Sequence, residues 1–174
     1  MNGKKALLRP PKFEDFTEFT RAAKSSRKFH RGLVSPPVDR KGFDELLGRN
    51  EKEENEIFVI CRIEDQAIAG AVNLSQIFRR SFHNAYLGYY LFESFTRQNL
   101  MTEAVELILS HTFKTLKLHR VEANVQPENT ASIKVLQKNG FTKEGFSRKY
   151  LKIGGRWRDH ERWAIIVEDW RKSL

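Results

Sequence analysis

The apolar positions of the chain change period several times. Ala6-Leu7-Leu8 is a short apolar run closed by Pro10-Pro11, which predicts a strand over 6–9. Phe13, Phe16, Phe19 and Ala23 then recur at helical spacing. Residues 27–39 are basic and broken by Gly32, Pro36 and Pro37, so a loop is expected there. A second helix starts from about Asp39, with Phe43, Leu46 and Leu47 on one face and Gly48 near its end. Strands dominate next, over 56–64 and 66–78 with a turn at Glu64-Asp65-Gln66, and again over 84–92. Thr102 is expected to open an amphipathic helix through Ala104, Leu107, Ile108, His111 and Leu116. A strand over 120–126 ends at Pro127, and Asn129 opens a helix that stops at Lys138-Asn139-Gly140, where glycine suits the left-handed residue past a helix end. Two last strands, 142–153 and 156–167, are joined by Gly154-Gly155 as a hairpin. Hairpins mixed with one strand–helix–strand crossover predict an α+β domain with a mixed sheet. No repeat or linker interrupts residues 1–174, which are read as one domain.

Composition narrows the classes. The 40% hydrophobic content, with 13 Phe and 3 Trp, excludes a disordered tail. No run approaches the roughly 20 apolar residues of a membrane helix, and the basic start lacks the apolar stretch of a secretory signal, so a cytoplasmic protein without membrane partners is expected. Cys61, the one cysteine, lies within Ile57-Phe58-Val59-Ile60-Cys61 and reads as core. His30, His83, His111, His119 and His160 lack metal-ligand spacing, so no metal is expected and each reads as a packing or surface histidine. A net charge of +9 favours acidic or polyanionic partners. The basic residues are scattered, which fits an enzyme that holds an anionic cofactor or visits a ribonucleoprotein better than a dedicated nucleic-acid binder.

Three stretches could carry chemistry. Residues 88–104 place a strand end, a short loop and a helix start together, where free main-chain amides suit a phosphate; an ordinary capped helix is the plainer alternative. Thr102 is expected as its N-cap, and Asn99 is a residue that tolerates positive φ. In the second stretch Glu122, Asn124 and Gln126 share one strand face, either in a wet cleft or on a solvated side, and Asn129 is followed three residues later by Ser132, as in a helix cap. The third, Trp157-Arg158-Asp159-His160, suits a substrate pocket or a buried aromatic with satisfied neighbours.

The element order, with Asn129-x-x-Ser132 and Lys138-Asn139-Gly140-Phe141, resembles the GNAT acetyltransferase superfamily. Within it, Ser81-Phe82-His83-Asn84-Ala85-Tyr86-Leu87-Gly88-Tyr89, Leu100-Met101-Thr102-Glu103-Ala104, His119-Arg120, Gly140-Phe141-x-Lys143-Glu144-Gly145 and Trp157-Arg158-Asp159-His160 are similar to the ribosomal-protein-alanine N-acetyltransferases of the RimJ/RimL group. The resemblance implies a GNAT fold, with a mixed central sheet of about seven strands flanked by about four helices and a splayed strand pair forming an acetyl-CoA cleft. The family's Gln/Arg-x-x-Gly-x-Gly/Ala loop is replaced at Thr96, Asn99 and Met101, and Arg97 stands where a further glycine is common.

By the same resemblance, acetyl-CoA is the co-substrate and acetyl passes to an amine by direct attack in a ternary complex. The acceptor would be the N-terminal α-amine of a protein, a ribosomal protein or the ribosome being the partner, and the enzyme a monomer or homodimer. Leu91 and Phe92 would pair with the pantetheine arm, and Arg97, Gln98, Asn99, Leu100, Met101 and Thr102 would hold the diphosphate. Asn129 and Ser132 would lie beside the departing sulfur, Ser132 giving it a hydrogen bond or proton. The base position of a related subgroup matches Leu151, which leaves Glu122 as the nearest carboxylate and Asp159 as second. Tyr89, Asn124, Trp157 and Asp159 would meet the acceptor. Two alternatives stand beside this: the same fold acting on a polyamine or aminoglycoside through Glu93, Glu122, Glu128 and Asp159, or a non-catalytic, ribosome- or RNA-associated protein.

Overall fold

In the computed structural model, which describes residues 1–172, the apolar runs become seven strands. They are β1 (Ala6–Arg9), β2 (Glu56–Arg62), β3 (Ile68–Phe78), β4 (Asn84–Leu91), β5 (Arg120–Val125), β6 (Thr142–Ile153) and β7 (Arg156–Ile166). The helices are α1 (Phe16–Ser25), α2 (Arg40–Asn50), α3 (Leu100–Lys114), α4 (Thr130–Lys138) and α5 (Val167–Lys172). The strands form one mixed sheet in the order β1-β2-β3-β4-β5-β7-β6. Every neighbouring pair is antiparallel except β4–β5, which run parallel because α3 carries the chain back between them.

Period-2 alternation divides the core between the two faces of the sheet. Ile57, Val59 and Cys61 face Phe19 of α1 and Phe43 of α2, whereas Ile60, Val72 and Leu74 face Val105, Ile108 and Leu109 of α3. Among the described residues no helix is long and apolar enough to cross a membrane.

Local chemistry explains the boundaries. Asn129 Oδ1 accepts the Ser132 amide at 3.1 Å and starts α4. Gly154 and Gly155 take φ values of 56° and 80°, the left-handed pair that a tight hairpin between β6 and β7 needs. Two boundaries differ from expectation. Helix α3 begins at Leu100 rather than Thr102, because Asn99 adopts φ 63° and its carbonyl already accepts the Glu103 amide at 3.2 Å. The last strand stops at Ile166, and α5 follows; at six residues it is too short to show a period, and Trp170 pins it by packing on Phe113 at 5.2 Å.

The feature that positions the site is a gap in the sheet. Strands β4 and β5 pair only at Asn84–Arg120, Ala85–Val121 and Tyr86–Glu122. Beyond Tyr86 no rung joins them, while β3–β4 pairing continues to Gly70–Leu91 and β5–β7 pairing to Val125–Glu161. The sheet therefore opens into a wedge at the strand ends.

Candidate active site

A cleft of about 470 Å³ occupies that wedge, within the range of small-molecule sites. Along its β4 wall, the Phe92 amide donates to Ala69 O at 2.8 Å and so faces β3. Alternation turns the main-chain groups of Leu91 and Tyr89 the other way, toward the space that β5 has left. An extended chain bearing amides could lie there as an added strand.

At one end the cleft meets the start of α3. Arg97 and Asn99 both take left-handed backbone, at φ 61° and 63°. This conformation costs a side-chain-bearing residue about 1–2 kcal/mol, less for asparagine. Left-handed residues in a loop can turn neighbouring amides to a common side. Among the described residues no partner accepts from the main-chain N–H groups of 97–102. With the positive end of a 15-residue helix behind them, these amides suit an anion. Thr96, Arg97, Asn99, Met101 and Thr102 line this end, and Lys134 and Lys138 of α4 add positive charge that the sequence did not single out.

In mid-cleft, Tyr89 Oη and Ser132 Oγ lie 2.8 Å apart. Burial pushes the Tyr89 phenol up to about 12, although the Ser132 hydrogen bond pulls the other way, so this pair keeps its protons at neutral pH. Asn124 and Asn129 also line this part.

The other end is covered by the segment between α1 and α2, which contributes Phe29, His30, Leu33 and Val34. Three bonds strap it down. Gln126 Nε2 donates to Gly32 O at 2.7 Å, the Glu93 amide donates to Ser26 Oγ at 2.9 Å, and His30 Nε2 lies 2.8 Å from Leu91 O. A carbonyl only accepts, so His30 carries its proton on Nε2, which leaves the buried Nδ1 without a partner. Burial holds the His30 pKa below the usual imidazole value, outweighing the Leu91 carbonyl and the charge of Glu93. Opposite this lid stand Leu151 and Ile153 of β6 and His160 of β7.

Tyr89, Asn124, Asn129 and Ser132 thus gather in one cleft with Leu91, Arg97, Asn99, Met101 and Thr102. The side chains of several other predicted residues turn elsewhere, and one predicted cap is shifted. Phe92 has no exposed surface, packs on Phe19 at 5.3 Å and has given its amide to β3. Gln98 turns to Arg62 and to Ser94 O, and Leu100 is buried in the α3 core. Thr102 lines the cleft from the first turn of α3 and is not the helix N-cap.

Glu122 sits on the last closed β4–β5 rung, bonded to Arg120 at 3.0 Å and Asn84 at 3.1 Å, and lies outside the cleft. Trp157 is 60% exposed beside the β6–β7 turn, and Asp159 accepts the Lys149 amide at 2.7 Å; neither lines the cleft. No aspartate or glutamate among the described residues does. His30 and His160, expected to be packing residues, face into it. His160 was at least visible within Trp157-Arg158-Asp159-His160, whereas His30 had no local signal.

Comparison with known proteins agrees with this geometry. Residues 5–142 match the acetyltransferase (GNAT) domain model. The probable N-acetyltransferase YjcK of Bacillus subtilis (strain 168) is 37% identical over 177 residues, covering 97% of this chain and 98% of that protein. The [ribosomal protein uS5]-alanine N-acetyltransferase of Escherichia coli (strain K12) is 38% identical over 107 residues, covering 62% of this chain and 55% of that protein. Among solved structures, Mycobacterium smegmatis RimJ in complex with CoA-disulfide superposes with a TM-score of 0.86 at 28% identity, covering 94% of this chain and 82% of that one. The wedge between β4 and β5, the family match and the near full-length relative lead to one assignment: the chain belongs to the GNAT acetyltransferase family and is an N-acetyltransferase.

Proposed function

We propose that this enzyme acetylates the N-terminal α-amine of a protein, with a ribosomal protein as acceptor and acetyl-CoA as donor. The residues suit that donor. The amides of 97–102, the Arg97 guanidinium and the Lys134 and Lys138 ammonium groups would hold its diphosphate, and the β4 edge at Tyr89 and the Leu91 N–H would pair with the amides of its arm. When bound, acetyl-CoA supplies an acetyl group activated as a thioester. The Leu91 amide would polarise the thioester carbonyl oxygen. The Tyr89–Ser132 pair holds a proton at Oη and Oγ for a sulfur anion, which is the role read for Ser132 from the sequence.

One observation carries the choice of acceptor, namely that no carboxylate among the described residues lines the cleft. Glu93, Glu122, Glu128 and Asp159, the residues that could have built an acidic pocket, lie outside the cleft. A polyamine or aminoglycoside would enter without a counter-charge. The free energy of deprotonation points the same way: at pH 7 an α-amine of pKa 7.7–8.0 costs about 1–1.4 kcal/mol and a lysine about 4.6. A site without a carboxylate suits the first. The relative named for uS5-alanine acetylation supports a ribosomal acceptor.

The test is turnover of an N-terminal-alanine peptide against an N-terminally blocked lysine peptide and spermidine. The alanine peptide should lead in kcat/KM by about 250- to 500-fold, the size of the deprotonation difference. Preference for the lysine peptide or spermidine overturns the reading.

A further inference from the structure

We propose that His160 is the catalytic base that takes the proton from the attacking amine, an inference that rests on the acetyl-transfer reading above. The cleft offers two imidazoles and no carboxylate among the described residues. His30 is spent: its Nε2–H is given to Leu91 O, and its Nδ1 is sealed from solvent with no partner. His160 is arranged the opposite way. Its Nδ1 lies 3.0 Å from Arg158 O, a pure acceptor, so the proton sits on Nδ1 and the Nε2 lone pair is free. Nε2 makes no hydrogen bond and is not among the sealed atoms, although the residue as a whole is buried.

Position adds to chemistry. His160 follows the last β5–β7 rung, Val125–Glu161, and so sits level with Gln126 where β5 runs out into the cleft. The Tyr150 ring packs edge-on at 6.3 Å and fixes the plane of the imidazole. A base on a paired strand, oriented by a main-chain carbonyl, is preorganised in a way that a base on the lid segment is not. Leu151 and Ile153, which line the same wall, carry no proton acceptor, so the imidazole is the group there that can take one.

The step balances. The neutral amine nitrogen forms a bond to the acetyl carbon while the carbon–sulfur bond breaks and its electron pair goes to sulfur. One N–H proton passes to His160 Nε2, and the sulfur leaves with a proton from the Tyr89–Ser132 pair. Solvent then removes the proton from the imidazolium and restores the hydroxyl.

Two variants test this on whichever amine the wild type acetylates, so that an unexpected acceptor sinks the α-amine reading and leaves the His160 comparison intact. His160→Asn keeps a donor for the Arg158 carbonyl but has no Nε2; its kcat should fall about 10²-fold or more, with the thermal shift on adding acetyl-CoA kept. His160→Ala should fall likewise and regain activity when imidazole is added. Retention of kcat within about threefold of wild type in His160→Asn, loss of the acetyl-CoA shift together with activity, or no rescue of His160→Ala by imidazole overturns the assignment.

Discussion

Under α3 the cleft presents main-chain amides, and under the 27–39 segment it presents side chains. At the first end, Arg97 and Asn99 stand where the family resemblance puts glycines, and both still adopt the left-handed backbone that glycine would supply. What the loop offers an anion is its N–H groups, so side-chain identity there is free to drift provided φ is kept. At the second end, His30, Gln126 and His160 act through particular nitrogens 2.7–3.0 Å from particular carbonyls. One end of the cleft is made of backbone and the other of side chains.

Substitutions can break or sharpen this contrast. The largest effect is expected between the two ends: Tyr89→Phe removes the buried hydroxyl beside Ser132 and should lower kcat about 10²-fold with little change in the KM for acetyl-CoA, read by thiol release. At the amide end, Asn99→Ala removes the short amide side chain that eases a residue into φ 63° and should raise the acetyl-CoA KM about 5- to 10-fold, the equivalent of about 1–1.4 kcal/mol, whereas Asn99→Gly should leave it close to wild type. Equal effects of the two would mean that the Asn99 side chain, not the backbone, makes the site. At the side-chain end, Gln126→Ala cuts the tie to Gly32 O and should raise the KM of the peptide by about fivefold without altering that of acetyl-CoA.

The smallest effect is on stability. The buried His30 resists protonation, while in the unfolded chain it takes up a proton as the pH falls through its ordinary value near 6.5. The unfolded state then binds more protons, so folding stability drops below about pH 6.5. Urea denaturation at pH 7.5 and 5.5 should show a smaller drop for His30→Gln than for wild type.

The same division explains what could be read from the chain. Alternation of Ile57, Val59 and Cys61 and the periods of α3 and α4 are local, and they place the sheet, its crossover and the wedge. The amide end was legible for that reason, since a strand end, a loop and a helix start are consecutive. The side-chain end was not, because His30 meets Leu91 across 61 positions and Gln126 meets Gly32 across 94. Glu122 shows the limit of a polar face: it shares a side of β5 with Asn124 and Gln126, but the pattern cannot tell that the strand is still closed at Glu122. Phe92 erred by one residue; it follows a cleft-facing Leu91, and alternation turns it into the core.

In the proposed complex the amides of 97–102 receive the diphosphate while β4 opens an edge beside them. Titration of ¹⁵N-labelled protein with coenzyme A tests it directly. The account predicts that the amide signals of Arg97, Asn99, Met101 and Thr102, with those of Tyr89 and Leu91, move on binding, while those of Phe92 and Glu122 move little. Binding that leaves the 97–102 amides unmoved would contradict it.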